Sequence, residues 1–439
     1  MKAHFIGIGG IGMSALARYF LSRGVSVSGS DCGDSDLLHD LEQEGATIFR
    51  EHRAENVPED AYQIVYSEAI SKENPEREMA EKKGILQKSY FSALGDISST
   101  KRTISICGTH GKSTTTAMAG LALEAAGADP LVILGTKVFE WEGKNIRLPG
   151  SDPLCLPSEN RFFLVESCEY HESFLHISPS IIIVTNVEPD HLDFFGSPER
   201  YFSAFRDFIH RLPEDGILIA DFSQPDICSI SKEFLGTKID ASQFVSEVPP
   251  LGVPGEHNRK NAANVLALAN VLDIHPSPIR TALSQFRGTW RRFQKKGITD
   301  QKVTVYDDYA HHPTEIQATL TALRERHPQE KIWVVFEPHQ YSRTRDFLEE
   351  FSKSFSNADE VLIPDIYRVR DTEADVASMS AEILVSEIQK HHTSARYSES
   401  FSHTVAMLQK EVQPGDVVIT MGAGPVYKVA ELFLTPESF

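Results

Sequence analysis

Gly108-Thr109-His110-Gly111-Lys112-Ser113-Thr114 follows the apolar run Thr103-Ile104-Ser105-Ile106-Cys107, and its reading decides the fold. The pattern is a strand, a glycine-rich turn and a helix opening with Thr115, Thr116 and Ala117. Two glycines let the backbone turn tightly, so that successive N–H groups point inward at phosphate oxygens. The helix N-terminus adds a partial positive charge at the same place. Lys112 is placed to reach the outer phosphates of a nucleotide, and the Ser113 hydroxyl to hold Mg²⁺. Only Thr109 and His110 separate the two glycines, so the loop is shorter than the G-x-x-x-x-G-K-[ST] form and points to a narrower family. ATP with Mg²⁺ is the expected cofactor set. The plain alternative is a strand–turn–helix carrying a solvated lysine.

Composition bounds the rest. A chain of 439 residues is expected to form about two to four domains. Its 41% hydrophobic and 24% charged content suits a globular protein, and the formal charge of −19 argues against nucleic acid as a partner. A small phosphorylated ligand is not excluded, since it needs only a local nest of N–H groups and one or two cations. Cys32, Cys107, Cys155, Cys168 and Cys228 are scattered without a C-x-x-C pair, which fits a reducing compartment rather than disulfides or zinc. Met1 to Leu21 is apolar, but it carries glycines at motif spacing and Arg18, unlike a signal peptide. No run approaches the ~20 apolar residues of a membrane span. A cytoplasmic protein without a membrane partner is expected, as a monomer or homodimer.

Three α/β blocks are expected, at 1–100, 101–288 and 289–439. The first opens with a strand, Ala3 to Ile6, that runs into Gly7-Ile8-Gly9-Gly10-Ile11-Gly12; a helix from Met13 to Arg23 and a strand from Val25 to Ser30 follow, ending at Asp31. This βαβ start fits NAD, another diphosphate such as a nucleotide-sugar, or simply close helix–strand packing. A further strand ends at Ser67. In the second block, strands are expected at Arg161 to Glu166, Ser180 to Asn186 and Ile217 to Ala220, with a helix from Tyr201 to Leu212. Helices follow from the Gly255-Glu256-His257-Asn258 start through Leu272 and from Ile279 to Phe286. The third block has strands at Val303 to Tyr306, Lys331 to Phe336, Glu360 to Ile363 and Val417 to Thr420, the last running into Gly422-Ala423-Gly424.

Taken in order, these pieces resemble the Mur ligases of peptidoglycan synthesis. The resemblance rests on Gly9-Gly10-Ile11-Gly12, the Gly108 to Thr114 loop, Thr185-Asn186-Val187-Glu188-Pro189-Asp190-His191, His257-Asn258-Arg259-Lys260-Asn261, Arg291-Arg292-Phe293 and Asp307-Asp308-Tyr309-Ala310-His311-His312-Pro313-Thr314-Glu315. It runs from the first strand to the last helix and is strongest for the alanine-adding branch. It implies a three-domain α/β architecture: an N-terminal Rossmann-like domain, a central P-loop ATPase-like domain and a C-terminal Rossmann-like domain. It also implies an ATP-dependent ligase that phosphorylates a carboxylate and lets an amine attack the acyl phosphate, with UDP-N-acetylmuramate and L-alanine as substrates. The roles implied for residues follow the same source. Lys112, Arg292, His312 and Arg343 would be catalytic. Gly108 to Thr114, with Asn258, Asn261 and Asp308, would hold ATP. Gly9, Gly10, Ile11, Gly12, Asp31, Ser67, His339 and Arg345 would hold substrate, and Ser113, Glu166 and His191 the metal.

Each residue also has a bland reading. His191 can cap a helix, Glu166 can be a solvated strand end, Arg291-Arg292 can be surface charge, and His311-His312 can be a loop pair. Three departures from the branch stand out. Glu-Ala-Asp-Glu-Ser-Asp becomes Glu166-Ser167-Cys168-Glu169-Tyr170-His171, Gln340 replaces an arginine in Pro338-His339-Gln340-Tyr341-Ser342-Arg343-Thr344-Arg345, and Gln224 to Gly255 is short. Loss of a guanidinium removes a bidentate carboxylate partner. The competing readings are a ligase that attaches an intact tripeptide to the same UDP-sugar and a nicotinamide-dependent oxidoreductase. The second leaves the Lys112 loop without a role.

Overall fold

A computed structural model describes residues 1–33, 35–150 and 162–435. It contains three sheets, each with the strand order of a doubly wound α/β layer. The first is parallel and ordered β3-β2-β1-β4-β5, from β1 (Lys2–Ile6), β2 (Ser26–Ser30), β3 (Thr47–Phe49), β4 (Ala61–Tyr66) and β5 (Leu86–Ser89). The second comprises β6 (Arg102–Cys107), β7 (Leu131–Val138), β8 (Lys144–Arg147), β9 (Phe162–Glu166), β10 (Ile181–Val184), β11 (Ile217–Ala220) and β12 (Thr237–Asp240). Its order is β12-β11-β10-β6-β9-β7-β8, with only β8 antiparallel among the described pairs. The third comprises β13 (Gln294–Ile298), β14 (Thr304–Asp308), β15 (Ile332–Phe336), β16 (Glu360–Ile363), β17 (Ala395–Tyr397) and β18 (Val417–Met421), ordered β13-β14-β18-β15-β16-β17.

The central strands are the ones their sequence announces. Ile181 to Val184 is fully buried and pairs with both β6 and β11, as a continuous apolar run in a covered parallel sheet should. The edge strands carry no such mark: β5 reads Leu-Gln-Lys-Ser and β13 reads Gln-Lys-Lys-Gly-Ile, polar and half-exposed, as edges that must not pair with other chains. Arg161, expected to open β9, and Cys155 lie outside the described residues. The short segment 224–255 supplies a helix, Pro225–Ile230, one edge strand, β12, and a 3₁₀ turn, Ala241–Glu247.

Contacts divide the chain into two compact units, residues 1–250 with 260–286, and 251–259 with 287–439. The expected break at 100/101 therefore falls inside one unit, and the expected break at 288/289 lies two residues past a unit boundary. A single buried core, including Leu16, Leu94, Phe163 and Phe174, runs through the first two sheets. The helix Ile11–Ser22 packs on β7 and β8. There the Asn145 amide donates to the carbonyl of Ile11 and to Ser14 Oγ at 3.2 Å, and accepts from Arg18 Nη1 at 3.0 Å. Arg18, 4% exposed, also donates to Glu44 at 2.7 Å. Removing Arg18 leaves the buried Asn145 oxygen without its donor, which costs about 2 kcal/mol. Arg18→Ala should therefore lower the stability of the first unit by about 2 kcal/mol in urea denaturation, whereas a surface cation such as Arg50→Ala should change it by under ~1 kcal/mol.

Candidate active site

The carboxyl ends of β6, β9 and β10 converge on the loop Gly108–Ser113. Gly108 has φ +136°, and a Cβ there would sit 2.1 Å from Thr185 Oγ1; Gly111 has φ +80°, and its Cβ would sit 2.6 Å from Asn261 Oδ1. Only glycine fits either position. Residues of β10's exit hold the loop: Asn186 accepts from the N–H groups of Thr109 and His110 (3.0 and 2.9 Å), and Thr185 Oγ1 and Asn186 Nδ2 donate to the His110 carbonyl (2.6 and 2.9 Å). Thr109 Oγ1 bonds to the Glu188 backbone and the Tyr201 hydroxyl, each at 2.8 Å. The helix Lys112–Ala125 starts at this point, so its first N–H groups have no carbonyl one turn back and face the hollow of the loop. That cradle fits the phosphates of a nucleotide.

Lys112 Nζ lies within the loop, donating to the carbonyls of Gly108 and Thr109 (2.6 and 3.0 Å) and pairing with Glu169 at 3.0 Å. Burial pulls the ammonium's pKa down, but the Glu169 carboxylate outweighs it and holds Lys112 above its usual range. Burial pushes the Glu169 carboxyl up. Ser113 Oγ donates to Glu166 Oε1 at 2.8 Å, and the Gly135 N–H to its Oε2 at 2.6 Å. His191 Nε2 is 3.7 Å from both Glu169 and Asp190. Ser113 and Glu166 thus bring a hydroxyl and a carboxylate together at the ends of β6 and β9, oxygen donors of the kind a hard divalent cation takes, while His191 lies beside Glu169 at the exit of β10. Burial, with Glu169 beside it, pushes the Cys168 thiol up to about 12, so it is protonated and a poor nucleophile.

After Glu169 the backbone is strained. His171 (φ 55°, ψ 24°) and Glu172 (φ 55°, ψ 27°) are consecutive non-glycine residues in the left-handed region, as is His191 (φ 53°), at about 1–3 kcal/mol each. The rings of Tyr170 and His171 lie 4.2 Å apart, and Tyr170 and His191 4.6 Å apart, with Phe194 closing the cluster at 4.4 Å from His171.

The N-terminal glycine turn gathers Gly9, Gly10, Gly12, Asp31 and Ser67 at the ends of β1, β2 and β4. Gly7 (φ +80°) passes Ser67 so closely that a Cβ would lie 3.1 Å from that residue's own Cβ. Gly9 N–H donates to Asp31 Oδ2 at 2.9 Å, and Gly33 N–H to Oδ1 at 2.9 Å, so Asp31 closes the turn. Gly12 faces inward, where a Cβ would meet the Tyr90 ring at 2.6 Å.

The remaining expected residues lie in the second unit, apart from Asn261. Asn258, on the helix Glu256–Val271, donates to the Pro254 carbonyl at 2.6 Å. Asp308 is buried with both oxygens on backbone amides, Phe293 and Ala310, each at 2.7 Å; burial pushes its carboxyl up to about 6 against the pull of Arg292. His312 caps the helix Pro313–Arg326 and packs on Phe347. Arg292 pairs with Glu315 at 3.4 Å and lies over the Tyr309 ring. Arg343 is buried, 3.4 Å from His339, which neighbours His311. Arg345 instead points to the surface, 42% exposed and paired with Asp346 and Asp375. Gln340 is buried at φ 71°, with its amide on the Val369 carbonyl at 3.3 Å.

Two residues escaped the sequence reading. Arg291, weighed there as surface charge, is 3% exposed and spans Asp307 (2.9 Å) and the carbonyls of Gly424 and Gly422 (2.8 and 2.6 Å). Glu337, at the end of β15, accepts from Val426 N–H at 3.2 Å, and burial pushes its carboxyl up to about 7. Together they clamp the Gly422-Ala423-Gly424 turn.

Family models described as the Mur ligase family catalytic domain, the Mur ligase middle domain and the Mur ligase glutamate ligase domain match residues 2–102, 106–246 and 291–424. The UDP-N-acetylmuramate–L-alanine ligase of Acetivibrio thermocellus is 38% identical, over 98% of this chain and 95% of that protein. That of Alkaliphilus metalliredigens is also 38% identical, over 99% and 97%. The crystal structure of the UDP-N-acetylmuramate–alanine ligase from Thermotoga maritima matches with a TM-score of 0.79 at 27% identity, over 99% of this chain and 98% of the other. A murein peptide ligase from Psychrobacter arcticus, at 22% identity and a TM-score of 0.71 over 99% and 98%, shares the fold.

Glu337 supplies a pH test. Its carboxyl titrates near 7 in the fold and near 4.5 when unfolded, so ionisation disfavours the fold and stability falls as pH rises through that window. Glutamine keeps the acceptor for Val426 and does not ionise. Glu337→Gln should match the wild type near pH 4.5 and gain relative stability up to pH 7, by as much as about 3 kcal/mol in urea midpoints.

Proposed function

The chain belongs to the Mur ligase family, and we propose that it joins L-alanine to UDP-N-acetylmuramate with conversion of ATP to ADP and phosphate. The observation that carries this reading is the half-buried Lys112, set inside a loop whose two glycines leave no room for a Cβ. The muramic carboxylate attacks the γ-phosphorus, ADP leaves, the L-alanine amine attacks the acyl carbon, and phosphate leaves. A free carboxylate does not react with an amine at useful rates, so this activation is required.

Lys112 and the loop amides neutralise charge as it spreads over the transferred phosphoryl group. Ser113 and Glu166, with His191, would hold Mg²⁺, which would supply neutralisation of phosphate charge. The protonated Cys168 thiol favours direct phosphoryl transfer over a covalent protein intermediate. The N-terminal glycine turn suits the UDP diphosphate, because ATP has its own loop. Arg292, His312 and Arg343 would serve the phosphoryl group and the incoming amino acid. Gln340 turns its amide to Val369, so Arg343 is our candidate partner for the alanine carboxylate. Relatives at 38% identity that bear the alanine ligase name favour L-alanine over an intact tripeptide. No helix among the described residues is long and apolar enough to cross a membrane, and we assign the enzyme to the cytoplasm, where ATP and nucleotide-sugars are available.

The direct test is phosphate release from ATP with UDP-N-acetylmuramate carrying heavy oxygen in its carboxylate, across a panel of amino acids and the tripeptide. L-alanine should be preferred, with serine or glycine tolerated, because one methylene changes selectivity by only ~1–3 kcal/mol. One labelled oxygen should appear in phosphate per turnover. A preference for the tripeptide, or label retained wholly in product, would refute the scheme.

Lys112→Met should leave the fold intact by circular dichroism and lower turnover by about 10³-fold, as loss of a group acting mainly on the transition state does. Retention of more than about a tenth of the wild-type rate, a loss under ~1.4 kcal/mol, would remove the loop from the chemistry.

A further inference from the structure

We infer that Tyr170, His171 and Phe194 form an aromatic platform on which the sugar ring of the nucleotide-sugar docks, an assignment that rests on the ligase reading above. Three observations carry it. The first is place. Lys112 Nζ and Glu169 mark the γ-phosphate end of the loop, and the carboxylate that receives the phosphoryl group must lie beyond that end. Tyr170 and His171 follow Glu169 directly, so the platform flanks the acceptor rather than the body of ATP.

The second is strain. His171 and Glu172 hold left-handed backbone in tandem, and the turn is locked from within: Glu172 N–H donates to the Glu169 carbonyl at 2.8 Å, Ser173 Oγ to the Tyr170 carbonyl at 2.6 Å, and Phe174 N–H to the Cys168 carbonyl at 2.9 Å. A costly conformation this well fixed presents its rings in one orientation. The third is chemistry. His171 is exposed, while Tyr170 and Phe194 are half-buried, so the cluster offers a partly wet ring surface beside charged groups. A hexose ring presents apolar C–H faces and a polar rim, and an aromatic surface with polar edges matches both.

The test compares two substitutions in steady-state kinetics of the full chain. Asparagine tolerates the left-handed backbone at 171 but has no ring, whereas tyrosine in place of Phe194 keeps a ring on ordinary helical backbone. His171→Asn should raise the KM for UDP-N-acetylmuramate about tenfold, the scale of a lost aromatic contact, and move the KM for ATP by less than about twofold. Phe194→Tyr should hold the sugar KM within about twofold of the wild type. Circular dichroism and thermal unfolding of the asparagine variant should match the wild type. An unchanged sugar KM in His171→Asn, or a rise in the ATP KM instead, would overturn the platform while leaving the ligase reading intact. A wild-type chain that neither binds nor turns over UDP-N-acetylmuramate would overturn both.

Discussion

Taking the Lys112 ammonium out of water costs several kcal/mol, and only well-aimed partners offset that. They are the carbonyls of Gly108 and Thr109 and the Glu169 carboxylate, and each arrives by a different route. β6 delivers the carbonyls, β9 delivers Glu166 at its end and Glu169 three residues later, and β10 delivers Thr185 and Asn186, which pin the loop. The paired strands must end in register, because a slip of one residue would turn each of these side chains to the other face. The apolar runs that build the sheet thereby position a charge that none of them touches.

The second unit solves a related problem with opposite polarity. Its glycine turn at 422–424 is gripped by a buried cation through carbonyls, Arg291, and by a buried carboxyl through an amide, Glu337. Gly424 leaves space for that carboxyl, since a Cβ would lie 2.3 Å from Glu337 Oε2. Asp308 grips its neighbours in the same way through two amides. Both carboxyls are raised by burial, so this unit holds its turns with acids that ionise reluctantly.

The parts legible in the sequence are those in which chemistry restricts residue type. Gly108 and Gly111 were readable because a tight strand-to-helix turn at positive φ restricts residue type, and the central strands because burial on both faces demands apolar runs. What remained hidden depends on backbone partners. A carbonyl or amide has no letter, so nothing in Arg291-Arg292 says that the first grips two carbonyls while the second reaches Glu315. The same blindness covers Asp308, whose oxygens face amides, and Arg345, whose acidic partner Asp375 is distant in the chain. Glu169 was visible as a retained acid, but its place at the Lys112 ammonium required the turn after β9. Edge strands such as β5 and β13 stayed hidden because protecting an edge favours residues that look like loop.

The seam at Arg18 and Asn145 bears on how such an enzyme changes over time. The helix that begins in the N-terminal glycine turn is bolted to the central sheet through its own backbone carbonyl and a buried guanidinium. The first α/β layer is thus no interchangeable cassette. A recombination that cut near residue 100 would sever a polar joint whose halves lie more than a hundred positions apart, and would leave Arg18 and Asn145 each facing an unmatched surface. Donor acceptance for such a swap is set by that joint, so lineages should inherit the first two layers as one block.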